Sequence, residues 1–350
     1  MADEFQDVYA LTTANHVAGF WNTNSELTEP YFGDGTAFRH ERLSGDQVSI
    51  VKGSDVQPKL LDQTDRDAKA IPLDRGELET ASKEVPGFKN SMIVNEKDIR
   101  DFKRAQQSRD TVLVDTILNK IYNDQATLLR NAAYRREAMA MEVLTTGQLK
   151  LANKKIIDYG LKAWQKTKSK ADWGADGSNP YDDIYAIQET AAQKVGATLG
   201  RAVMNRRTFS KLVRNGTLKS TLLANNANTA AAFLPNSVVT DFLYSELGLS
   251  IKVYNKGYND AAGAFHTFVP DDLIAFLPET DSIGRMAFAT TPEEEESSRL
   301  SGTVATVDTG VSIHVYDQQD PVARTTKVDQ WVLPTLDVAD QIALMNVSGK

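Results

Sequence analysis

The residue types that do chemistry are present in this chain, but they are not gathered. The four histidines are His16, His40, His266 and His314. None stands at the spacing that places two ligands on one helix face, and no His-Glu-x-x-His pair occurs. There is no cysteine, so thiolate nucleophiles, disulfides and cysteine metal sites are excluded. Gly196 and Gly200 do not make a dinucleotide fingerprint, and neither a Walker loop nor a nucleophile elbow is found. Paired-acid hydrolysis needs two carboxylates held close together, yet the adjacent acids have simpler explanations. Asp182 and Asp183 follow Pro180 at a helix start, where the helix dipole favours acids, and Asp271 and Asp272 sit in a turn before a strand. The expectation is therefore no catalytic residue, no cofactor-binding residue or cofactor, and no metal ligand.

Two charged concentrations remain. Pro292-Glu293-Glu294-Glu295-Glu296 reads as a solvated helix start, with a cation or partner site as the competing reading. Arg201, Arg206, Arg207, Lys211, Arg214 and Lys219 form the one basic concentration. It is expected as a solvated helix face, with contact to phosphate or an acidic neighbour as the alternative. The formal net charge of −8 argues against duplex binding as the main activity, although it leaves room for a local basic patch. The start Met1-Ala2-Asp3-Glu4 lacks the basic and apolar regions of a secretory signal, and no apolar run is long enough to span a bilayer, so a soluble chain is expected.

The elements that would position these residues are organised around one stretch. Ser108 to Leu144 contains no Gly or Pro and predicts a single helix of roughly 50 Å. Val114, Ile117, Leu118, Ile121, Leu128, Ala132, Met139 and Val143 recur at helical spacing, while Gln125 and Arg136 weaken the pattern. Ser108 is the predicted N-cap, and Thr145, Thr146 and Gly147 are the stop.

Before this helix, residues 1–45 carry Phe20, Trp21, Tyr31, Phe32 and Phe38 without lasting periodicity. They read as an extended arm packed on a neighbouring subunit or on its own chain. Leu43 to Ile50 alternates as a strand. Val51 to Phe88 is charged with both signs and poor in large apolar groups, so it cannot order itself by burial. A flexible linker, or a two-stranded projection returning through Leu78 to Ile93, would account for it. Glu96 to Gln107 predicts a short helix.

After the helix, Leu149, Leu151, Ile156 and Ile157 predict a β-hairpin turning at Asn153. The middle third alternates strand and helix: a helix from Pro180 to Gly196, a strand at Leu199–Met204, a helix with Phe209 and Leu212, a helix at Val238–Leu247 and a strand at Leu249–Tyr254. Val311 to Tyr316, Lys327 to Leu333 and Gln341 to Val347 are later strands. These would complete a sheet begun by the hairpin near residue 150. The middle part would then be an insertion.

This order of elements resembles the lambda-like E family of tailed-bacteriophage major capsid proteins, over nearly the whole length. The local matches are Trp173 followed by Asn179-Pro180-Tyr181-Asp182-Asp183-Ile184, then Val269-Pro270-Asp271-Asp272-Leu273-Ile274. A third runs from Asp317 through Leu333-Pro334-Thr335-Leu336. The resemblance implies an α+β protein with the Hong Kong 97-type capsid fold. Residues 1–44 would be the N-terminal arm, 45–95 the extended loop, 96–160 the peripheral domain with its spine helix, 161–305 the axial α/β domain, and 306–350 a return to the peripheral domain. It also implies a structural role without catalysis: self-assembly through pentamers and hexamers into an icosahedral head in the virion, built in the bacterial host cytoplasm around packaged double-stranded DNA. The implied partners are further copies of the chain, a scaffolding protein, a portal protein and a decoration protein. No large N-terminal scaffolding region is evident, so a separate scaffold is expected. Some relatives form Lys–Asn crosslinks from the extended loop, where Lys52, Lys59, Lys69 and Lys83 are available here. Two readings stand beside this one: an encapsulin-type compartment shell, and a hydrolase using paired acids within 161–305.

Overall fold

The computed structural model describes residues 8–23, 32, 37–51, 80–151, 154–223, 234–260 and 262–349. Two compact units are present. The first takes the described residues up to Val48, then Ser82–Met139 and Arg285–Thr335; the second is built mainly from Ala140–Gly284 and Leu336–Lys350.

The first unit is assembled on the strand Val322–Pro334, whose β-branched residues (Thr325, Thr326, Val328, Val332) suit a pleated, covered surface. One side pairs antiparallel with Val311–Gln319. The other side is divided: Gly87–Val94 pairs with Arg324–Trp331, and Gly284–Ala289 continues along Trp331–Pro334. Phe38–Arg42 and Thr303–Val307 extend this sheet to six strands. Gly87 is obligatory where the Trp331 ring crosses it, since a Cβ there would lie 2.7 Å from the ring.

Across this sheet lies the long helix, Thr111–Thr146, about 54 Å at the α-helical rise. Its start differs from the expectation. Ser108 instead terminates the preceding helix Glu96–Gln107: its amide donates to the Arg104 carbonyl at 3.0 Å and its hydroxyl to that of Ala105 at 2.9 Å. Arg109 then turns through a positive φ of 54°. Asp110 becomes the cap by accepting the Leu113 amide at 3.0 Å. Two helices meet within three residues, and Ser and Asp are both capping residues, so spacing alone assigned the wrong one. Gly147, at φ 70°, closes the helix as expected.

The expected stripe is inward. Ile121, Leu128, Ala132, Met139 and Val143 are buried, and Val114, Ile117 and Leu118 are half-buried. Gln125 and Arg136, which break the apolar pattern, are buried as well. The Gln125 amide donates to Thr326 Oγ1 at 2.7 Å. Arg136 donates to Gln330 Oε1 at 3.0 Å and to Asp308 Oδ2 at 2.8 Å, and Gln330 Nε2 donates back to the Ala132 carbonyl at 2.9 Å. The helix is thus bonded to the central strand through its polar interruptions.

The N-terminal aromatics pack on their own chain. In the helix Ala14–Thr23, the Ala14 amide donates to Thr303 Oγ1 at 3.0 Å and the Trp21 indole to Asp308 Oδ1 at 3.4 Å. Phe20 stacks on Tyr122 with centroids 5.2 Å apart. Phe32 and Phe38 are buried, and Tyr31 lies outside the described residues. The charged segment begins and ends as a paired ribbon, Gln47–Val51 with Thr80–Glu84. The charges expected between Lys52 and Glu79 lie outside the described residues. The return splits at Val85-Pro86, where the Val85 amide turns to the Asp46 carbonyl at 2.9 Å and Pro86 has no N–H for a ladder.

The second unit holds a five-stranded sheet in the order Lys166–Lys168, Ala343–Asn346, Leu273–Leu277, Arg201–Met204, Ser250–Val253. The outer pairings are parallel and the inner two antiparallel. Helices Pro180–Val195, Arg206–Arg214 and Asn236–Leu247 pack on it through a core that includes Trp173, Ile184, Met204, Leu243 and Phe276. Two expectations are corrected. The hairpin Gln148–Lys150 with Ile156–Asp158 is a separate two-stranded sheet and starts no larger one; Asn153 at its turn lies outside the described residues. The last strand, Ala343–Asn346, joins Leu273–Leu277 and not the strands of residues 311–334. Ala343, Leu344 and Met345 are buried on both faces, and such a run needs a covered interior position in a sheet.

Arg136 has a side chain only 2 % exposed, and its partner Asp308 is 18 % exposed. Arg136→Leu removes the donor from Asp308 Oδ2 and Gln330 Oε1 and leaves the Asp308 charge unpaired, and is expected to destabilise the folded subunit by about 3 kcal/mol. A lowered urea midpoint with an unchanged far-ultraviolet circular dichroism spectrum would show it.

Candidate assembly surfaces

The histidines do not converge. His16 bonds Thr13 at 2.7 Å, His40 meets the Phe288 ring edge-on, His266 contacts Asp260 at 2.9 Å, and His314 donates to the Ser301 carbonyl at 2.8 Å. Among the described residues no group of three or more His, Asp or Glu side chains could hold a metal ion.

The acid pairs are absorbed by local structure. Asp183 is buried and accepts the Trp173 indole at 3.0 Å, while Asp182 stays exposed in the first helical turn. Asp271 accepts from Asn205 at 2.6 Å and from Arg207 at 2.7 Å. Asp272 turns the chain at φ 60° into the strand Leu273–Leu277 and meets Lys211 at 2.7 Å. Two members of the basic concentration, Arg207 and Lys211, are paired by the same contacts. Lys211 also reaches both oxygens of Asp172, at 3.1 and 3.2 Å. Arg201 donates to the Pro278 carbonyl at 2.9 Å and to that of Thr280.

The glutamate run does open a short helix, Pro292–Glu295, with Thr291 as N-cap. It is not uniformly solvated, however. Glu294 pairs with Arg42, whereas Glu293 turns inward and is 5 % exposed. Lys89 lies 3.2 Å from Glu293 Oε1 and 3.2 Å from Asp329 Oδ2, and Lys327 also contacts Glu293. Lys89 and Asp329 are direct cross-strand partners. Burial works against the Lys89 charge, but Glu293 and Asp329 outweigh it and raise its pKa.

Glu293 and Asp329 face each other as acceptors. Glu293 Oε2 and both Asp329 oxygens make no hydrogen bond, and one proton shared between the two carboxyls would join two of these three oxygens. Burial pushes the Asp329 carboxyl up, and the neighbouring Glu293 adds to this, to about 7. Burial also penalises the Glu293 charge, but hydrogen bonds to Asp329, Lys327 and Lys89 hold it at about 2. The two titrate as one coupled unit.

The sequence reading missed two features. One is this quartet, drawn from a helix and two strands far apart in the chain, which left no sequence signal beyond the acids themselves. The other is a lysine excess from residue 148 to residue 170, which a count of charges along the chain would have found. Among the described residues no helix is long and apolar enough to cross a membrane.

The arrangement of a long helix across a sheet, a two-stranded ribbon, a hairpin and a second α/β unit defines a class, the Hong Kong 97-type capsid fold. The model of the phage major capsid protein E family matches residues 17–343, and the chain belongs to that family. Among solved structures, a protein described as a prophage capsid protein from E. coli CFT073 superposes with a TM-score of 0.62 at 14 % identity, covering 96 % of this chain and 99 % of that one. A phage-related protein from Bordetella bronchiseptica RB50 gives 0.56 at 14 % identity, with 96 % and 97 % covered. The capsid of cyanophage A-1(L) gives 0.55 at 11 % identity, with 93 % and 94 % covered. At these identities the likeness is one of fold. No curated protein matches the chain. Family membership makes this a structural protein of a phage capsid, a virion component and not an enzyme.

The Glu293–Asp329 pair has a consequence for stability. Asp329 in the fold lies above its ordinary 3.8, so the native state binds the extra proton and stability falls as pH rises from about 4 through 7. Glu293 lies below its ordinary 4.5, so its contribution is present above that value and is lost as pH falls toward 2. Wild type is expected to have a higher urea midpoint at pH 5 than at pH 8, and Asp329→Asn should flatten that difference. An unchanged difference in the variant would refute the assignment.

Proposed function

We propose that copies of this chain assemble through pentamers and hexamers into the icosahedral head of a tailed bacteriophage, enclosing its double-stranded DNA. The carrying observation is membership of the major capsid protein E family across residues 17–343, together with a subunit fold shared with phage capsid structures. In this reading residues 1–44 are the N-terminal arm, 45–95 the extended loop, 96–160 and 306–350 the peripheral domain, and 161–305 the axial domain. The strand Ala343–Asn346 is the exception, being paired with Leu273–Leu277.

Assembly takes place in the host cytoplasm with a scaffolding protein and a portal, and a decoration protein is a further partner. Contact between copies of the chain has support from one local feature. The strand Gly87–Val94 has an N-terminal neighbour, the ribbon of Gln47–Val51 and Thr80–Glu84, that pairs with no third strand among the described residues. A two-stranded ribbon is marginal alone in water, so a docking surface on another copy would stabilise it.

Electron microscopy of the protein, purified alone and co-expressed with a scaffold, tests the proposal. Shells or capsomers are expected; strictly monomeric material under both conditions would overturn it. Reversing Asp62, Asp65 and Asp67 together, all in the proposed loop, should reduce assembly yield severalfold while leaving the urea midpoint of the subunit unchanged. Assembly equal to wild type would remove the loop from the contact.

A further inference from the structure

One stretch of surface carries an unbalanced charge. Residues 148–170 contain seven lysines and a single acidic residue, Asp158, in a chain whose net charge is −8. Lys150, Lys154, Lys155, Lys166, Lys168 and Lys170 are exposed, and Lys162 is half-buried. Elsewhere several cations are neutralised within the fold: Lys89, Lys211, Lys327, Arg207 and Arg285 each meet a carboxylate. Among the described residues no carboxylate stands within ion-pair distance of Lys150, Lys154, Lys166, Lys168 or Lys170.

These lysines are displayed on fixed backbone. Lys150 is the cross-strand partner of Ile156 in the hairpin, with Lys154 and Lys155 at its turn. Lys166–Lys168 is an edge strand of the five-stranded sheet, registered in parallel against Leu344–Asn346. Gln165 anchors its start by donating to the Ala339 carbonyl at 2.6 Å and to that of Ile342 at 2.7 Å. The Ser169 amide anchors its end on the Asn346 carbonyl at 2.8 Å. Lys166 and Lys168 lie on one side of the strand, about 6.6 Å apart along it.

We propose that this lysine surface, Lys150–Lys170, contacts the phosphate backbone of the DNA inside the shell, without regard to sequence. The proposal rests on the capsid reading above and names the face of the subunit that meets the genome. Three observations favour DNA over an acidic protein. Every cation in the stretch is lysine and none is arginine, and lysine acts on phosphate as a point charge, without the fork that selects a particular acceptor. One acid, Asp158, stands among seven lysines, so the stretch lacks the alternation of sign that would select one partner protein. Finally, Ile156 is the one large apolar residue exposed among the described residues of the stretch, whereas protein interfaces centre on a cluster of aromatic or aliphatic anchors.

The test uses the full chain and a fluorescein-labelled DNA duplex of random sequence, followed by anisotropy over a salt titration. The variant Lys166→Glu/Lys168→Glu/Lys170→Glu is compared with a control of equal charge change on the helix Glu96–Gln107, Lys97→Glu/Arg100→Glu/Arg104→Glu. The lysine variant should bind at least about tenfold more weakly at low salt, and its slope of log K against log salt should shrink by about three. The control should change affinity less than about twofold. Equal weakening in both variants would reduce the effect to net charge and overturn the proposal, as would wild-type binding by the lysine variant. Polyglutamate matched in charge serves as competitor. If it displaces the duplex stoichiometrically from wild type, the surface is one for an acidic protein and the proposal fails. Negative-stain microscopy of the same preparations scores shell formation separately, so a failed capsid reading and a failed DNA surface give different results.

Discussion

The first unit depends on how the backbone hydrogen bonds of Val322–Pro334 are satisfied. Thirteen residues of one strand must find partners on both edges, since an unpaired buried amide or carbonyl is costly. One edge is met by Val311–Gln319, adjacent in sequence and so inexpensive to close. The other is met by Gly87–Val94 and Gly284–Ala289, more than two hundred residues and about forty residues away respectively. That edge obliges Gly87–Val94 to lie back along the strand at one register. It also brings Gly87 beneath Trp331 and Lys89 opposite Asp329. Everything that follows in this unit inherits that register.

The long helix is fastened to the same strand by side chains that look out of place in its apolar stripe. Gln125, Arg136 and Gln330 are buried with partners chosen from the facing element. Apolar packing alone would tolerate a helix sliding by a turn on a sheet. Directional hydrogen bonds at Thr326, Gln330 and Asp308 would all be lost by such a slip. Arg136 and Trp21 both end on Asp308, so the N-terminal helix is placed by the same contact. For a subunit wall, whose value lies in presenting edges at fixed positions, this exclusion of alternative registers matters as much as the stability gained.

Charge is distributed with equal economy. The acids weighed as catalytic pairs are absorbed by turns, helix starts or nearby cations, and within the Arg201–Lys219 concentration Lys211 is met by Asp172 and Asp272, Arg207 by Asp271 and Arg201 by backbone carbonyls. Between residues 148 and 170, by contrast, lysines outnumber acids seven to one. A protein that carries a net negative charge overall can thus repel its neighbours' bulk charge at long range while keeping one local surface of the opposite sign.

Much of this was legible in the sequence because it is local. The long helix, its Gly147 stop, the Pro180 and Gly196 ends of a second helix, the alternating strand at Val311–Tyr316 and the order of elements that marks the capsid family depend on spacing and turn chemistry within a few residues. Sequence could not decide between Ser108 and Asp110 as the cap, because both residue types serve and only the preceding helix's end at Ser108 excludes one. Nor could it decide sheet membership. Ala343–Asn346 and the hairpin near residue 150 are strands by local pattern, but their partners depend on which edges remain open after distant segments have packed. The inward turn of Glu293 shows the same division. Its place in a helix start follows from Pro292 and Thr291, whereas its burial against Lys89, Lys327 and Asp329 exists only once strands from both ends of the chain lie side by side.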